Sequence, residues 1–283
     1  MLQVLRNIAR PFIAVTNGVL TSDGAGVSLR RMLGAGSVGS LDPLLMLDAF
    51  GSDKPQDYIA GFPPHPHRGF ETVTYLTAGR MRHKDNAGHE GVIEQGGVQW
   101  MTAGRGIIHS EMPEQRDGLL AGFQLWINLP AVSKMTPPAY QEFTAAQIPV
   151  EVRDGMSTKV IAGTTDNGTE GVVKQIATQP LYVDVTLDPN AVYAQTVPEG
   201  HAGFVHVIEG SLVNHAGKGL ERGQLAVLGD GDHASLRAGD SGARFLLVSG
   251  RSLNEPVAWR GPIVMNTQEE LYQAFEDYQS GKF

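Results

Sequence analysis

Apolar and polar positions alternate along the chain in short runs, and the runs end at Gly, Pro, Asn or Asp. Residues 71–76 (ETVTYL), 122–129 (GFQLWINL), 181–187 (LYVDVTL), 204–208 (FVHVI) and 244–248 (RFLLV) show it best. They are rich in β-branched and aromatic side chains, which suit a pleated, half-buried surface. Many such segments with Gly-rich turns predict an all-β chain folded as sandwiches or barrels. One segment departs from the pattern. Thr267 and Glu270 have capping-box spacing, and Leu271, Phe275 and Tyr278 recur at i, i+4 and i+7. That predicts a C-terminal helix, stopped near Gly281 and docked on a sheet by one face.

The strand pattern occurs twice. Residues 74–79 (TYLTAG) are followed by a Gly-led strand at 97–100 (GVQW), and residues 205–210 (VHVIEG) by another at 223–226 (GQLA). The length of 283 residues has a soft prior of two domains. The proline-rich stretch 130–138 (PAVSKMTPP) lies between the halves. The expected division is therefore 1–135 and 136–283.

Composition narrows the chemistry. Cysteine is absent, which removes disulfides, thiolate nucleophiles, iron–sulfur clusters and Cys-based zinc sites. Any metal must be held by His, Asp or Glu. Net charge is −8 and no basic block stands out, so direct nucleic-acid binding is not expected. No apolar run reaches the roughly 18 residues of a membrane span. The N-terminal stretch carries Arg6 and Arg10 without an uninterrupted apolar core or a clear cleavage site. The expectation is a cytoplasmic protein with no membrane contact.

The chemical signal lies in the first half. His65-Pro66-His67 places two imidazoles at i and i+2, on one face of a strand. His109-Ser110-Glu111 repeats that spacing with an imidazole and a carboxylate. Side by side, the two doublets present three His and one Glu. Iron, manganese, copper or nickel suits that set, and an octahedral ion keeps two positions open. Taken alone, a His-x-His pair is as well explained as a chance structural pair. The second doublet and its Gly-rich approach (TAGRG, 102–106) favour the metal reading. Glu71 is a further carboxylate within reach, as ligand or as support to one. His83 and His89 flank a polar loop and read as solvated or rim residues. Residues 230–233 (DGDH) read as a turn. Residues 34–39 (GAGSVG) match a dinucleotide-binding pattern, but no βαβ unit surrounds them, so they too read as a turn.

At this point the residues resemble a known family. GFPPHPHRGFETVTYLTAG (61–79), GVQWMTAGRGIIHSEMP (97–113) and GFQLWINLP (122–130) are similar to the signature of the pirins, in the cupin superfamily. LDPLLMLDAFG (41–51) and GPIVMNT (261–267) are pirin-like as well. The resemblance implies a bicupin, two jelly-roll-like β-barrels with a C-terminal helix. It implies a metal-binding cupin in 1–135 and a cupin without metal ligands in 136–283. The family ligands carry over to His65, His67, His109 and Glu111. Aligning the repeat puts Thr196, Pro198, Ser235 and Arg237 at the matching positions of the second half, so one metal per chain is expected. Iron(II) is the expected ion, with manganese, copper, nickel, cobalt or zinc as other ions the donors accept.

For function, the resemblance implies a quercetin 2,3-dioxygenase-like enzyme that opens flavonols with dioxygen and releases carbon monoxide. Glu111 is the expected general base as well as a ligand. Phe70, Trp100, Met101, Met112 and Trp126 either wall a pocket for a planar substrate or fill the barrel core. Two alternatives stand beside this reading. One is a non-enzymatic regulatory or redox-sensing protein that binds transcription factors or metabolic enzymes. The other is a metal-dependent enzyme acting on a sugar or small acid, which an Arg- or Lys-lined pocket (Arg68, Arg105, Lys84) would favour.

Overall fold

The computed structural model describes residues 8–34, 36, 38–174 and 177–283. Arg6 and two positions of the 34–39 turn, Ala35 and Ser37, lie outside the described residues. Among the described residues the architecture is all-β apart from short 3₁₀ turns and one C-terminal helix, as the alternation requires. Among the described residues no helix is long and apolar enough to cross a membrane.

The chain divides into two compact units, and neither is one continuous stretch. The first comprises residues up to Gly18, Gly36–Asp42 and Ile148–Ser252, and the second comprises residues 19–34, Pro43–Gln147 and Leu253–Phe283. Relative to one cut at 135/136, residues 36–42 and the N-terminal segment group with the later half. Residues 136–147 and 253–283 group with the earlier half.

The first unit is built on a nine-stranded sheet whose central strands are His201–Asn214 and His233–Arg251. Its core is continuous and aliphatic, with Val183, Val185, Val205, Val207, Phe245 and Leu247 buried from alternate positions of three adjacent strands. Arg10 anchors the incoming chain here. Its guanidinium donates to the backbone oxygens of His201, Gly229, Val197 and Pro198 at 2.9–3.1 Å. A charge noted at first for its bearing on a leader sequence is thus a buried structural clamp.

The second unit contains a seven-stranded and a four-stranded antiparallel sheet. The larger runs Ala139–Phe143, Val98–Thr102, Phe70–Ala78, Leu120–Asn128, Leu44–Ser52, Val27–Leu33, Val19–Asp23. The smaller runs Phe62–His67, Ile107–Pro113, Arg80–Asp85, Glu90–Glu94. Leu29, Phe50, Leu76 and Leu120 from the larger sheet pack with Met81 and Ile93 from the smaller, so one core layer lies between the sheets. The helix Gln268–Gln279 forms where the capping box predicts. The Thr267 hydroxyl accepts from Glu270 N, and the Glu270 carboxylate accepts from Thr267 N. Leu271 and Ala274 are buried against Ala258, Ile263 and Met265 of the Ala258–Arg260/Ile263–Met265 hairpin. Phe275 is partly buried there, while Tyr278 stays largely exposed.

The turn joining the His65–His67 strand to the next pivots on Gly69, at φ +87°. A Cβ there would collide with the carbonyl oxygen of Val264. Gly69→Ala is therefore expected to cost about 3 kcal/mol or more, through both the left-handed backbone and the collision. Urea denaturation of the two proteins measures it; a loss below about 1 kcal/mol would show that the turn relaxes freely.

Candidate metal centre

Antiparallel pairing of Phe62–His67 with Ile107–Pro113 sets His65 directly opposite His109 and His67 opposite Ile107. The register then shifts between His109 and Glu111. The three imidazoles converge: ring centroids are 4.7 Å apart for His65–His67, 4.5 Å for His65–His109 and 5.0 Å for His67–His109. One nitrogen from each lies within 4.8 Å of the other two. The Nδ1 of His65 lies 2.8 Å from the carbonyl of Pro63, a partner that fixes the ring and leaves Nε2 to face the cluster.

Both ring nitrogens of His67 and of His109 are buried without a hydrogen-bond partner among the described residues. Burying unpaired imidazoles is costly unless something else takes the lone pairs. A divalent ion is that something, and a neutral imidazole is the form that ligates. The side chains are held in that form. Burial pushes His67 well below the usual histidine range, and neighbouring His109 and His65 add to it, while the Pro262 carbonyl acts the other way. Burial brings His109 down to about 4 against the raising effect of Glu111. The residues thus fit a transition ion.

A pH dependence follows for the metal-free protein. Above pH 6.5 these two histidines are neutral folded and unfolded. Below it the unfolded chain takes up protons that the folded chain refuses, so stability falls as pH drops from about 6.5 toward 4. His109 alone accounts for about 3 kcal/mol across that window. Thermal melts of metal-free protein between pH 8 and 4.5 should show the decline beginning near 6.5; a flat profile to pH 5 would refute it.

Glu111 is buried on the same strand, but it is not part of the close three-histidine group. Its Oε1 accepts from Thr74 Oγ1 at 2.9 Å and its Oε2 from Gln124 Nε2 at 2.8 Å. Trp126 Nε1 in turn donates to Gln124 Oε1 at 3.3 Å. The carboxylate is held at a fixed orientation behind the cluster. Glu71 is turned elsewhere, accepting from Thr102 Oγ1 at 2.7 Å.

The cluster opens onto a cavity of about 780 Å³. His65, His67, Thr74, Gln124 and Trp126 form its inner wall, and Phe62, Met46 and Trp259 its apolar sides. Of the five residues considered for a pocket wall, Trp126 alone lines it. Phe70 packs behind, 4.4 Å from Trp126 and 5.1 Å from His67 by ring centroid. Trp100 and Met101 are fully buried core residues, and Met112 lies against Gly61.

Profile matching assigns residues 26–127 to the Pirin family and residues 182–283 to the pirin C-terminal cupin domain. The Pirin-like protein of Caulobacter vibrioides is 52% identical over 275 residues, covering 97% of this chain and 99% of that protein. The chain belongs to the pirin family. Human Pirin is 41% identical over 278 residues, 95% of this chain and 93% of its own. A crystal structure of quercetin 2,3-dioxygenase from Acinetobacter baumannii superposes with a TM-score of 0.89 at 36% identity, covering 98% of this chain and 99% of that one. The bicupin fold expected from the motifs is thus the fold observed.

Two features of this pirin barrel were not legible from spacing. Arg31 and Asp48 line the cavity and pair in bidentate fashion at 2.8 and 2.7 Å, with Asp23 as a second anion. The guanidinium is therefore neutralised. The cations weighed for an acidic substrate are elsewhere: Arg68 is pinned by Asp277 at 2.9 Å and donates to the Arg105 carbonyl at 2.5 Å, and Lys84 reaches out to Glu90. The second feature corrects the reading of His83 as a solvated or rim residue, whereas His89 stays partly exposed. His83 is buried, and both rings turn toward Glu142. Burial follows from pairing: His83 lies opposite Glu111 on the adjacent strand, so it shares the inward face.

Proposed function

We propose that this pirin is a metal-dependent dioxygenase that opens flavonols such as quercetin with dioxygen and releases carbon monoxide. The ion is held by His65, His67 and His109 with Glu111 as the fourth ligand, and iron(II) is the ion proposed. The observation that carries the reading is the open cavity of about 780 Å³ against a three-histidine cluster in which His67 and His109 are neutral and unpartnered. Its size is that of a site for a small organic ligand. A purely structural ion would be enclosed by protein ligands, whereas a catalytic one keeps an open side. That favours the enzyme over the regulatory reading. The neutralised Arg31 argues against an acidic substrate.

Bound there, the ion supplies Lewis acidity toward a flavonol hydroxyl and redox chemistry toward dioxygen. The chain supplies the rest. Trp126, with Phe70 behind it, offers a flat aromatic wall on which a planar ring system can stack. Thr74 and Gln124 line the cavity and hold both oxygens of Glu111 directly behind its wall, which supports the carboxylate as the general base that takes the hydroxyl proton. The apolar sides exclude water from the reactive, electron-rich flavonolate.

The test is aerobic turnover of quercetin by iron(II)-loaded protein, with carbon monoxide detected in the headspace. Release of carbon monoxide stoichiometric with quercetin loss is expected. No turnover by protein whose three-histidine centre is filled with iron would overturn the proposal and favour the regulatory reading.

A further inference from the structure

We propose that the metal-binding barrel carries a second divalent transition-metal site, built by His83, His89 and Glu142. The three come from separate pieces of chain: the Arg80–Asp85 strand, the turn after it, and the Ala139–Phe143 strand. Their donor atoms all lie within 4.8 Å of one another. His83 Nε2 stands 2.7 Å from one Glu142 oxygen, and His89 Nε2 stands 3.3 Å from the other. Ligands at about 2.1 Å in tetrahedral geometry lie about 3.4 Å apart, so a small outward movement of half-exposed Glu142 admits an ion. Two imidazoles and a carboxylate suit zinc, cobalt or iron(II) and leave a position for water.

Three further observations separate this site from a plain hydrogen-bonded network. First, the hydrogen bonding is incomplete: His83 Nδ1 and His89 Nε2 are buried without a hydrogen-bond partner among the described residues. Second, the rings are held before any ion arrives. Tyr140 stacks on His89 with centroids 4.3 Å apart and a 25° tilt, and His89 stacks on His83 at 5.4 Å and 29°. Asp85 Oδ1 accepts from the backbone N–H groups of Ala87 and His89, which fixes the turn. Gln99 Nε2 donates to Glu142 Oε1 at 2.6 Å and orients the carboxylate. Such supporting contacts are what ligand sets require. Third, Gly91 faces the cluster with no positive φ to account for a glycine. A Cβ at this position would sit 2.5 Å from His83 Nε2 and 3.3 Å from a Glu142 oxygen. The space at the donor atoms exists because that side chain is missing.

Side-chain exposures of 40% for His89 and 31% for Glu142 leave an entry route from solvent. The site lies one strand over from the three-histidine centre, since His83 pairs directly with Glu111. It does not depend on the flavonol reading.

Zinc titration of metal-free full-length protein tests it, with bound zinc counted by mass spectrometry after dialysis. Two zinc ions per chain are expected in the wild type. One should remain in His65→Ala/His109→Ala and one in His89→Ala, with none when the three substitutions are combined. Gly91→Ala should also lose one ion, with an unchanged circular dichroism spectrum and unchanged content of the three-histidine site. Cobalt(II) gives a second readout, because each site should contribute its own visible absorption. A single zinc ion in the wild type would overturn the proposal. So would a second ion that persists in both His89→Ala and Gly91→Ala.

Discussion

Replacing His65 and His109 together by alanine should empty the three-histidine centre of iron and abolish flavonol cleavage. The two residues are cross-strand partners, so the double substitution removes one ligand from each side of the site and leaves only His67 and Glu111. Loss of a supporting contact to a ligand typically costs 10–100-fold in metal affinity. Loss of a ligand costs more, so the pair should weaken binding by more than about 10⁴-fold. The same substitution should leave the fold intact. In the metal-free state His109 is a buried imidazole with neither nitrogen bonded, a group that costs stability. Metal-free double variant is therefore expected to melt no lower than metal-free wild type at pH 6 and below. Added iron should stabilise the wild type more than the variant, which keeps only the His83/His89/Glu142 site. Iron content and carbon monoxide release measure the first part, thermal melts the second. A variant that retains one iron per chain and turns over quercetin would place the centre elsewhere.

That trade of stability for chemistry marks where the sequence was easiest to read. His65-Pro66-His67 and His109-Ser110-Glu111 stand out because period-two spacing puts both members of each doublet on one strand face, whatever the rest of the chain does. The helix was equally legible, because Thr267 and Glu270 form a local device whose partners are three residues apart. What escaped depends on partners distant along the chain. His83 looks solvated in its polar loop, yet it is buried because its strand pairs with the Glu111 strand, 28 positions away. Glu142 carries no motif at all and joins His83 and His89 only through the pairing of Ala139–Phe143 with Val98–Thr102. The Arg31–Asp48 pair arises from adjacency of two strands in the larger sheet, which spacing alone does not reveal. Trp100 and Met101 were ambiguous for a different reason. Core and pocket wall use the same apolar residues, and only the position of the cavity separates them.

Glu111→Gln should keep the metal and lose most of the turnover, with kcat falling about 10²–10⁴-fold, the range for removing a general base. The substitution preserves shape and changes two things. It removes the negative charge, and it replaces one acceptor oxygen by an amide donor. Glu111 now accepts from Thr74 on one oxygen and from Gln124 on the other. A glutamine can satisfy one of these donors and must turn its NH₂ toward the other. Thr74 can adapt, because a hydroxyl also accepts; Gln124 can adapt by flipping its amide, at the expense of the bond from Trp126. The side chain therefore stays in place, and its amide oxygen with the three imidazoles still holds the ion, with a smaller fall in affinity than loss of an imidazole brings. What is lost is the proton acceptor. The discriminating measurement is the rate at each pH. If Glu111 takes the flavonol proton, raising the pH should restore part of the variant's activity, because solvent then supplies the ionised substrate. If Glu111 serves only to hold metal, added iron should restore activity and pH should not. Gln124→Ala separates orientation from chemistry: it leaves the charge but frees one oxygen, so a smaller loss in kcat with the wild-type pH profile is expected. Unchanged turnover in Glu111→Gln at full iron occupancy would remove Glu111 from the reaction.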